Sequence, residues 1–220
     1  MNDFCYAPPV DDGLDVIYQD EQLIVVSKPS GLLSVPGRGA DKQDCMIHRV
    51  QRSFADALIV HRLDMSTSGI LLLARSKEVH RLLSYAFQVR RVEKQYTALV
   101  AGRPGIESGE INWPLICDWP NRPRQKVDHE VGKPSLTRYH CLSYDEILDA
   151  TRVALSPVTG RSHQLRVHML SLGHPILGDS LYAPPDIKIK APRLQLHANE
   201  MVIQHPTSGE LLRLYSEPPF

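Results

Sequence analysis

Two short, unbroken apolar runs constrain the fold of this chain more than any other feature of its sequence. Residues 23–27 read LIVVS and residues 70–74 read ILLLA. Apolar runs of this length, bounded by turn residues, are typical of buried β-strands. The first run ends at KPSG, where Pro29 removes a backbone donor and Gly31 allows a tight turn. The pattern therefore predicts two buried strands.

Short helices and strands alternate along the rest of the chain. Residues 77–91 place apolar side chains at helical spacing, which predicts an amphipathic helix. The stretch 103–135 is rich in Pro and Gly and predicts a loop-rich insertion. The same patterns predict a short helix over 47–54, a strand over 94–101, an antiparallel pair over 138–144 and 151–155, and closing strands over 194–204 and 211–215.

Size and composition allow one large domain or two small ones. The chain has 220 residues, of which 42% are hydrophobic, and this is enough to bury a substantial core. We expect a single domain over 21–220. Residues 1–20 are acidic and contain prolines, and they predict either a tail or a strap across the sheet.

Several classes of protein are disfavoured by what the sequence lacks. The cysteines are scattered without a C-x-x-C pair, so neither a zinc site nor a disulfide framework is predicted. The N-terminus is acidic, and no apolar run approaches the length of a membrane span. We therefore expect a reduced, cytoplasmic protein without a membrane partner. The cysteines are Cys5, Cys45, Cys117 and Cys141.

The net charge of zero conceals an asymmetry along the chain. Residues 1–27 contain six acidic residues and neither Lys nor Arg, which leaves 25 basic against 19 acidic residues in 28–220. Basic residues concentrate in 75–103 and again in 121–126. Such patches could contact the phosphates of a nucleic acid, or they could be an ordinary solvated face and a polar loop.

The segment preceding the second apolar run, VHRLDMSTSG, contains the first candidate site. If residues 60–64 are extended, Arg62 and Asp64 share one face, and His61 and Leu63 take the other. A guanidinium beside a carboxylate keeps it ionised, and an ionised, positioned Asp can act as a nucleophile. The alternative is a turn in which Asp64 caps backbone amides and Arg62 forms a surface ion pair.

The second candidate site lies in the segment TGRSHQLRVHMLSLG, residues 159–173. Ser162 is a favourable N-cap and Gly173 a favourable stop, so a helix over 163–172 is predicted. Arg161 and Arg166 then lie at its N-terminal end, where the helix dipole disfavours cations. An anionic partner is expected, either a carboxylate such as Asp64, an RNA phosphate, or both. Alternatively, the arginines simply reach water.

Tyr96 lies on the predicted strand that follows the first basic patch. It is either ordinary strand core or a platform on which a base could stack. The histidines of the second segment and its surroundings lack an HExxH pattern, so we expect no metal.

Four stretches together resemble one known family. HRLDMSTSG, VVSKPSGLLSVPG, KQYTALVAG and GRSHQLRVHMLSLGHPILGD resemble the RluA family of pseudouridine synthases, in the right order and over nearly the whole chain. The resemblance implies an α+β fold, with a bent, mixed and mostly antiparallel sheet, flanking helices and a central active-site cleft. It also implies a bare catalytic domain without the S4 domain that some relatives carry.

The resemblance further implies a role for individual residues. Asp64 falls on the nucleophile that attacks the target uridine, whose base detaches, rotates and rejoins the ribose through C5. Tyr96 falls on the tyrosine that packs against the base and helps remove the C5 proton. Arg166 falls on the arginine that pairs with the nucleophile. Arg62 looks like the residue that fills the space of the flipped uridine, and Leu196 like a lining of the base pocket.

The partners follow from the same resemblance. An isomerisation requires neither cofactor nor metal, and we expect a monomer that binds RNA without a protein partner. The stretch ICDWPNRPRQKV looks most like the dual-specificity member of the family, which acts on large-subunit rRNA and tRNA anticodon stem-loops. Further RNA contacts are predicted at basic residues, namely Arg90, Arg91, Lys94, Arg122, Arg124, Lys126 and Arg161.

Two other functions stay open from the residues alone. An RNA-binding protein without activity would need only the basic patches and would tolerate Asp64→Asn. A hydrolase with Asp64 as nucleophile would release a product or form an acyl intermediate on an ester.

Overall fold

The computed structural model describes residues 6–220, so that Asp3 and Cys5 lie outside the described residues. The chain divides into two compact units. Among the described residues, unit 1 comprises 6–92 and Asn199–Glu217, and unit 2 comprises Glu93–Ala198 and Pro218–Phe220. The expectation of a single domain over 21–220 stays a prediction.

The regular elements are numbered in chain order. The strands are β1 (Val16–Gln19), β2 (Leu23–Lys28), β3 (Leu58–Ile59), β4 (Ser68–Ala74), β5 (Glu93–Ala101), β6 (Ser108–Ile111), β7 (Leu115–Cys117), β8 (Gln125–Val127), β9 (Thr137–Asp145), β10 (Ala150–Pro157), β11 (Leu196–Gln204) and β12 (Leu211–Tyr215). The α-helices are α1 (Met46–Gln51), α2 (Lys77–Gln88), α3 (Gln164–Ser171) and α4 (Pro185–Lys188). Short 3-10 turns occupy Ala40–Lys42 and Trp119–Asn121.

Unit 1 is built around the two apolar runs that the sequence singled out. β2 pairs antiparallel with both β1 and β4, β3 adds to β4, and β12 pairs antiparallel with β11. Helix α2 has Ser76 as its N-cap, whose hydroxyl accepts a hydrogen bond from the Val79 amide (3.2 Å). Buried side chains of these strands and of α2 form one apolar cluster, including Leu23, Val25, Ile70, Leu72, Val79, Leu83, Met201, Ile203 and Leu214.

The acidic N-terminal segment makes defined contacts from residue 6 onward. Tyr6 is buried, and its hydroxyl donates to the main-chain oxygen of Asp44 (2.9 Å). Asp20 ends the segment by accepting the amide protons of Gln22 and Leu23, both at 2.7 Å. Residues 16–19, within the predicted tail or strap, therefore form β1 beside the first buried run.

Unit 2 contains an antiparallel sheet in the order β5-β10-β9-β6 and a separate β7-β8 hairpin. Its apolar core packs α3 against β5, β9 and β10. The Pro/Gly-rich stretch 103–135 is more structured than expected, because it contains β6, β7 and β8. These strands have only three or four residues each, with prolines between them, and so leave no periodic pattern in the sequence.

Helix α3 corrects the predicted start of the helix. It begins one residue later than expected, and His163 rather than Ser162 is its N-cap, in a left-handed conformation with φ 54°. Ser162 is exposed. No side chain of the described residues caps the helix, and the buried side chain of Gln164 instead holds the preceding segment, because its Oε1 accepts from the Arg161 amide (3.0 Å) and from the Thr159 hydroxyl (2.7 Å).

Helix α3 ends at Ser171, one residue before the predicted end, and Gly173 stops it as predicted. Gly173 has φ 91°, and its amide donates to the Leu170 oxygen (2.9 Å), while the next amide, that of His174, donates to the Met169 oxygen (2.9 Å). The prediction of an α+β fold dominated by antiparallel strands is likewise confirmed. None of the helices within residues 6–220 combines the length and apolarity that a membrane span requires.

Candidate active site and RNA-binding surface

Asp64 lies in the loop that leads into β4 and is partly exposed. Its main-chain oxygen accepts from the Thr67 amide (3.1 Å), which closes a turn over the two intervening residues. Leu63 is buried, whereas Arg62 is exposed, so neighbouring side chains point to opposite sides as predicted for an extended segment. Residues 61–64 are nevertheless outside any strand.

Lys28 fastens this loop to the end of β2 from within the core. The Lys28 side chain is fully buried. Its ammonium donates to three main-chain oxygens, those of Pro29 (2.8 Å), Leu32 (2.8 Å) and Met65 (3.1 Å). Because Met65 directly follows Asp64, the position of the Asp64 main chain is set by a buried cation on a neighbouring strand.

Two serines add to the same attachment. The Ser30 hydroxyl donates to the Ser66 oxygen (2.7 Å). The Ser34 hydroxyl both donates to the Leu63 oxygen (2.8 Å) and accepts from the Leu63 amide (3.1 Å). The loop after β2 therefore holds the residues on each side of Asp64, which explains why KPSGLLS and HRLDMSTSG occur in one chain.

Gly69 marks the point where this loop becomes a strand. It has φ 111° and lies opposite Lys28 in the β2–β4 ladder. Only glycine adopts this backbone region without strain. The backbone conformation therefore requires glycine at the final position of HRLDMSTSG.

In unit 2, Arg166 forms a buried ion pair that the sequence reasoning missed. Its guanidinium grips the Asp179 carboxylate with two hydrogen bonds, Nε to Oδ2 at 2.8 Å and Nη2 to Oδ1 at 2.6 Å. The exposed fractions of the two side chains are 2% and 1%. Asp179 provides an anionic partner of the kind expected at α3, and the pairing of Arg166 with Asp64 stays a prediction.

The position of Asp179 is fixed by the main chain around it. Oδ1 also accepts from the amides of Leu181 (2.9 Å) and Tyr182 (3.2 Å). Gly178 has φ 70°, and a Cβ there would lie 1.9 Å from the main-chain oxygen of Arg193. The signal for this carboxylate was present in the final GD of GHPILGD, because glycine permits the close approach.

Tyr96 and Leu196 belong to one apolar cluster of unit 2. Tyr96 is half-buried on β5 opposite Leu155 of β10, and packs against this cluster. Leu196 is buried at the start of β11 within it. The cluster also includes Leu165, which precedes Arg166 on α3. This arrangement allows the exposed part of the Tyr96 ring to present a face to a planar base.

The predicted RNA contacts differ in exposure. Lys126 lies 3.7 Å from the Asp128 carboxylate, and the Arg161 Nε donates to the Pro134 oxygen (3.3 Å). Lys94 is half-buried, and desolvation lowers the pKa of its ammonium, so it is a weaker candidate for a phosphate contact. The exposed cations are Arg62, Arg90, Arg91, Arg122, Arg124, Lys126 and Arg161.

The β7–β8 hairpin presents an aromatic side chain among these cations. Trp119 is 65% exposed, and the Arg122 guanidinium lies 4.5 Å from its ring centroid. An exposed indole beside cations is typical of surfaces on which nucleic-acid bases stack. Sequence reasoning treated this stretch only as a source of charge and missed Trp119.

The histidines around α3 have other partners than a metal. His168 is buried between the Thr137 hydroxyl (2.9 Å) and the Trp113 oxygen (3.0 Å), and burial lowers its pKa. His174 contacts the Ala101 oxygen at 2.8 Å, and His163 contacts the Tyr182 hydroxyl at 2.7 Å. Within the described part of the chain no three His, Cys, Asp or Glu side chains are grouped so that they could hold a metal ion.

Comparison with known proteins identifies the class of protein to which these features belong. The family described as RNA pseudouridylate synthase matches residues 22–171, which include the Asp64 loop, Tyr96 and Arg166. The chain belongs to the RNA pseudouridine synthase family, whose members are isomerases. The family predicted from the four sequence stretches is thus confirmed.

Particular relatives are similar over nearly their whole length. The chain is 50% identical over 215 residues to the dual-specificity RNA pseudouridine synthase RluA of Escherichia coli K12, with 98% of each chain covered. It is 50% identical over 216 residues to the RluA of Pasteurella multocida, again with 98% of each covered. Among solved structures, human RNA pseudouridylate synthase domain containing 1 has a TM-score of 0.81 at 30% identity, covering 97% of this chain and 87% of that one.

Proposed function

We propose that this protein converts specific uridines of structured RNA to pseudouridine, and that it serves both large-subunit rRNA and a tRNA anticodon stem-loop. The dual specificity rests on the similarity to RluA proteins described as dual-specificity enzymes. The observation that carries the chemistry is the Asp64 loop. Its main chain is fastened on both sides of a partly exposed carboxylate. A fixed carboxylate of this kind is suited to act as a nucleophile.

In the proposed reaction Asp64 attacks the target uridine and the bond between the base and its ribose breaks. The base rotates, and its C5 bonds to the same ribose carbon as the Asp64 carboxylate leaves that carbon. The C5 proton then leaves and N1 gains a proton. Substrate and product are isomers, so no cofactor or metal takes part. Tyr96 packs against the base and helps remove the C5 proton, Arg166 pairs with the nucleophile, and Leu196 lines the base pocket.

The target base must leave its stack before Asp64 can reach it. Flipping a base out costs a few kcal/mol, and it costs least in a loop, where stacking is already incomplete. Arg62 is exposed two residues before the nucleophile, and we assign it to the space that the flipped uridine vacates. Stem-loop RNA is therefore the expected substrate class.

The β7–β8 hairpin is proposed to bind RNA outside the reacting nucleotide. Arg122, Arg124 and Lys126 contact phosphates, and Trp119 stacks with a base. Replacing the three cations by Ala is expected to weaken RNA binding and to flatten its salt dependence. Trp119→Ala is expected to weaken binding with no change of salt slope, because stacking releases no counterions. Arg138→Ala, which removes an exposed cation from β9, is the matched control.

The experiment that tests the proposed reaction uses transcripts labelled with tritium at uridine C5. Wild-type, Asp64→Ala and Asp64→Asn proteins are incubated with rRNA fragments and with tRNA anticodon stem-loops, and tritium released to water is counted. We expect release by the wild-type protein from both RNA classes and none by either variant. Asp186→Asn, at an exposed carboxylate of α4, should match the wild-type protein.

Other outcomes favour other functions. Binding of these RNAs without tritium release would favour an RNA-binding protein that lacks activity. Tritium release that persists in Asp64→Asn would mean that Asp64 is not the nucleophile. An acyl intermediate on a small ester, lost in Asp64→Ala, would favour a hydrolase. Release from one RNA class alone would contradict the dual specificity.

A further inference from the structure

Tyr182 contacts three parts of unit 2 that the proposed function uses separately. Its hydroxyl accepts a hydrogen bond from the amide of Gln125, the first residue of β8 (2.8 Å). The same hydroxyl lies 2.7 Å from Nδ1 of His163, the N-cap of α3. Its ring lies beneath the Arg166 guanidinium, with 5.0 Å between Cζ and the ring centroid. One side chain therefore touches the hairpin, the start of α3 and the buried arginine.

The Tyr182 hydroxyl forms both of these hydrogen bonds. The Gln125 amide can only donate, so the Tyr182 oxygen accepts from it. The second hydrogen bond joins the same hydroxyl to His163 Nδ1, and its direction is set by the tautomer of the imidazole. The contact is an ordered relay from hairpin amide to phenol to imidazole.

The hairpin end of this relay lies next to the proposed RNA contacts. Gln125 follows Arg124 directly and pairs with Cys117 across the hairpin. The main-chain oxygen of Arg124 accepts from the Asp118 amide (2.9 Å), which closes the loop that carries Trp119. A displacement of this loop by bound RNA is therefore passed to the hydrogen bond between Gln125 and Tyr182.

The other end of the relay reaches the buried ion pair. Tyr182 donates its own amide proton to the Asp179 carboxylate, while its ring faces the guanidinium that this carboxylate binds. A shift of the Tyr182 ring thus changes the cation–π contact of Arg166, while the main-chain hydrogen bond to Asp179 keeps Tyr182 next to the ion pair. Two hydrogen bonds join Arg166 and Asp179, so a shift of one residue strains its contact with the other.

We propose that Tyr182 is a positioning residue that couples RNA bound on the β7–β8 hairpin to the orientation of Arg166. This inference rests on the proposed function, in which the hairpin holds RNA and Arg166 pairs with the nucleophile. A stem-loop that binds the hairpin correctly therefore also sets the orientation of Arg166. The hydroxyl serves the coupling, and the ring supports the guanidinium.

Two substitutions separate these roles. Tyr182→Phe keeps the ring beneath Arg166 and removes the hydroxyl that contacts both Gln125 and His163. His163→Asn breaks the relay at α3, and Asn tolerates the left-handed backbone at this position. Tyr144→Phe is the matched control, because it removes a hydroxyl of unit 2 that donates only to the exposed Asp149 carboxylate (2.8 Å).

The test measures single-turnover tritium release at saturating protein, together with RNA affinity in an Asp64→Ala background. We expect Tyr182→Phe and His163→Asn each to lower the saturated rate by about tenfold, the effect of one well-formed hydrogen bond, with little change in affinity. Tyr144→Phe should match the wild-type rate. A lost rate at unchanged affinity distinguishes positioning from a contribution to folding or binding.

Double variants test the coupling itself. Arg124→Ala should lower both the affinity and the saturated rate in the wild-type background. In the Tyr182→Phe background it should lower only the affinity, because the relay is already broken. The same fold-change in rate in both backgrounds would overturn the role of Tyr182 while leaving the proposed reaction intact. Absence of release by the wild-type protein would instead contradict the proposed function.

Discussion

Lys28 in unit 1 and Arg166 in unit 2 are both buried cations, but they bind different kinds of acceptor. Lys28 holds the loop of the proposed nucleophile, whereas Arg166 is itself assigned to the proposed reaction. Lys28 donates to three main-chain oxygens around the Asp64 loop. Arg166 donates twice to one carboxylate, that of Asp179. An ammonium is compact and its three donors fit converging carbonyls, whereas a planar guanidinium fits a carboxylate with two parallel bonds.

The difference decides how each region can be disrupted. Pro29, Leu32 and Met65 accept from Lys28 through their main-chain oxygens, so a substitution of any of these three residues leaves its acceptor in place. The acceptor of Arg166 is a side chain, so either partner can be deleted. Deletion of Asp179 leaves a buried charge without its carboxylate, which costs more than neutral carbonyls that lose a donor.

The largest effect on stability is expected for Asp179→Ala. It removes the carboxylate that accepts two hydrogen bonds from a fully buried guanidinium, and we expect the free energy of unfolding to fall by about 3–5 kcal/mol. Urea denaturation measures the change. Asp186→Ala, on an exposed carboxylate of α4, is the control and should change stability by less than about 0.5 kcal/mol. A loss below about 1 kcal/mol for Asp179→Ala would mean that the ion pair contributes little.

A smaller loss is expected for Lys28→Met, which retains the apolar stem. The Met65 oxygen keeps a second donor, the Gly31 amide at 2.8 Å, while the Pro29 and Leu32 oxygens lose the ammonium. We expect about 2–3 kcal/mol of lost stability. Tritium release should fall by more than this loss explains, because the Asp64 loop is released. Lys42→Met, on a partly exposed lysine, controls for the change of charge; equal effects of the two substitutions would argue against the anchor.

Gly69→Ala tests the same loop through its backbone. Alanine at φ 111° is strained, and we expect a loss of about 1–2 kcal/mol in the free energy of unfolding, measured by urea denaturation. Gly160→Ala is the control, because a Cβ there meets no atom within 4 Å. If both substitutions left stability unchanged, the β2–β4 junction would be less constrained than its backbone suggests.

The smallest expected effect is a change in the pH dependence of stability at His168 in unit 2. Burial lowers the pKa of His168 in the folded protein, so the unfolded chain binds more protons as the pH falls. The contribution of neutral His168 is therefore fully present above its unfolded pKa and is lost progressively below it. His168→Gln should flatten the fall in melting temperature between pH 7.5 and 5.5. His80→Gln, at a partly exposed histidine of unit 1, should leave this slope unchanged.

The elements predicted best from the sequence were those with long or strongly patterned runs. The apolar runs of β2 and β4 and the periodic face of α2 marked their elements to within a few residues. The start of α3 was misplaced by one residue because His163 takes a left-handed conformation and becomes the N-cap, while the Gln164 side chain binds the Arg161 amide and the Thr159 hydroxyl. Local propensity does not reveal this arrangement, since it depends on where Thr159 lies.

The two buried cations of the candidate site also have partners that the sequence alone does not reveal. Arg166 was predicted because a cation near a helix N-terminus is unfavourable by itself, and this indicated a need for an anion. Lys28 was read only as part of a turn, because its acceptors are main-chain oxygens that every residue possesses. Asp179 was missed because its role depends on the chain approach at Gly178, which the sequence marks only by one glycine.

The β7–β8 hairpin has one more consequence, which concerns the intrinsic fluorescence of the protein. The chain has two tryptophans, and both belong to unit 2. Trp113 is half-buried in the core of this unit, whereas Trp119 is exposed beneath Arg122. Emission at long wavelength therefore reports on the hairpin, and the bluer component reports on the core around α3. A base stacked on Trp119 would quench the long-wavelength emission and leave the emission of Trp113 unchanged. The intrinsic fluorescence therefore reports whether RNA has bound at the hairpin.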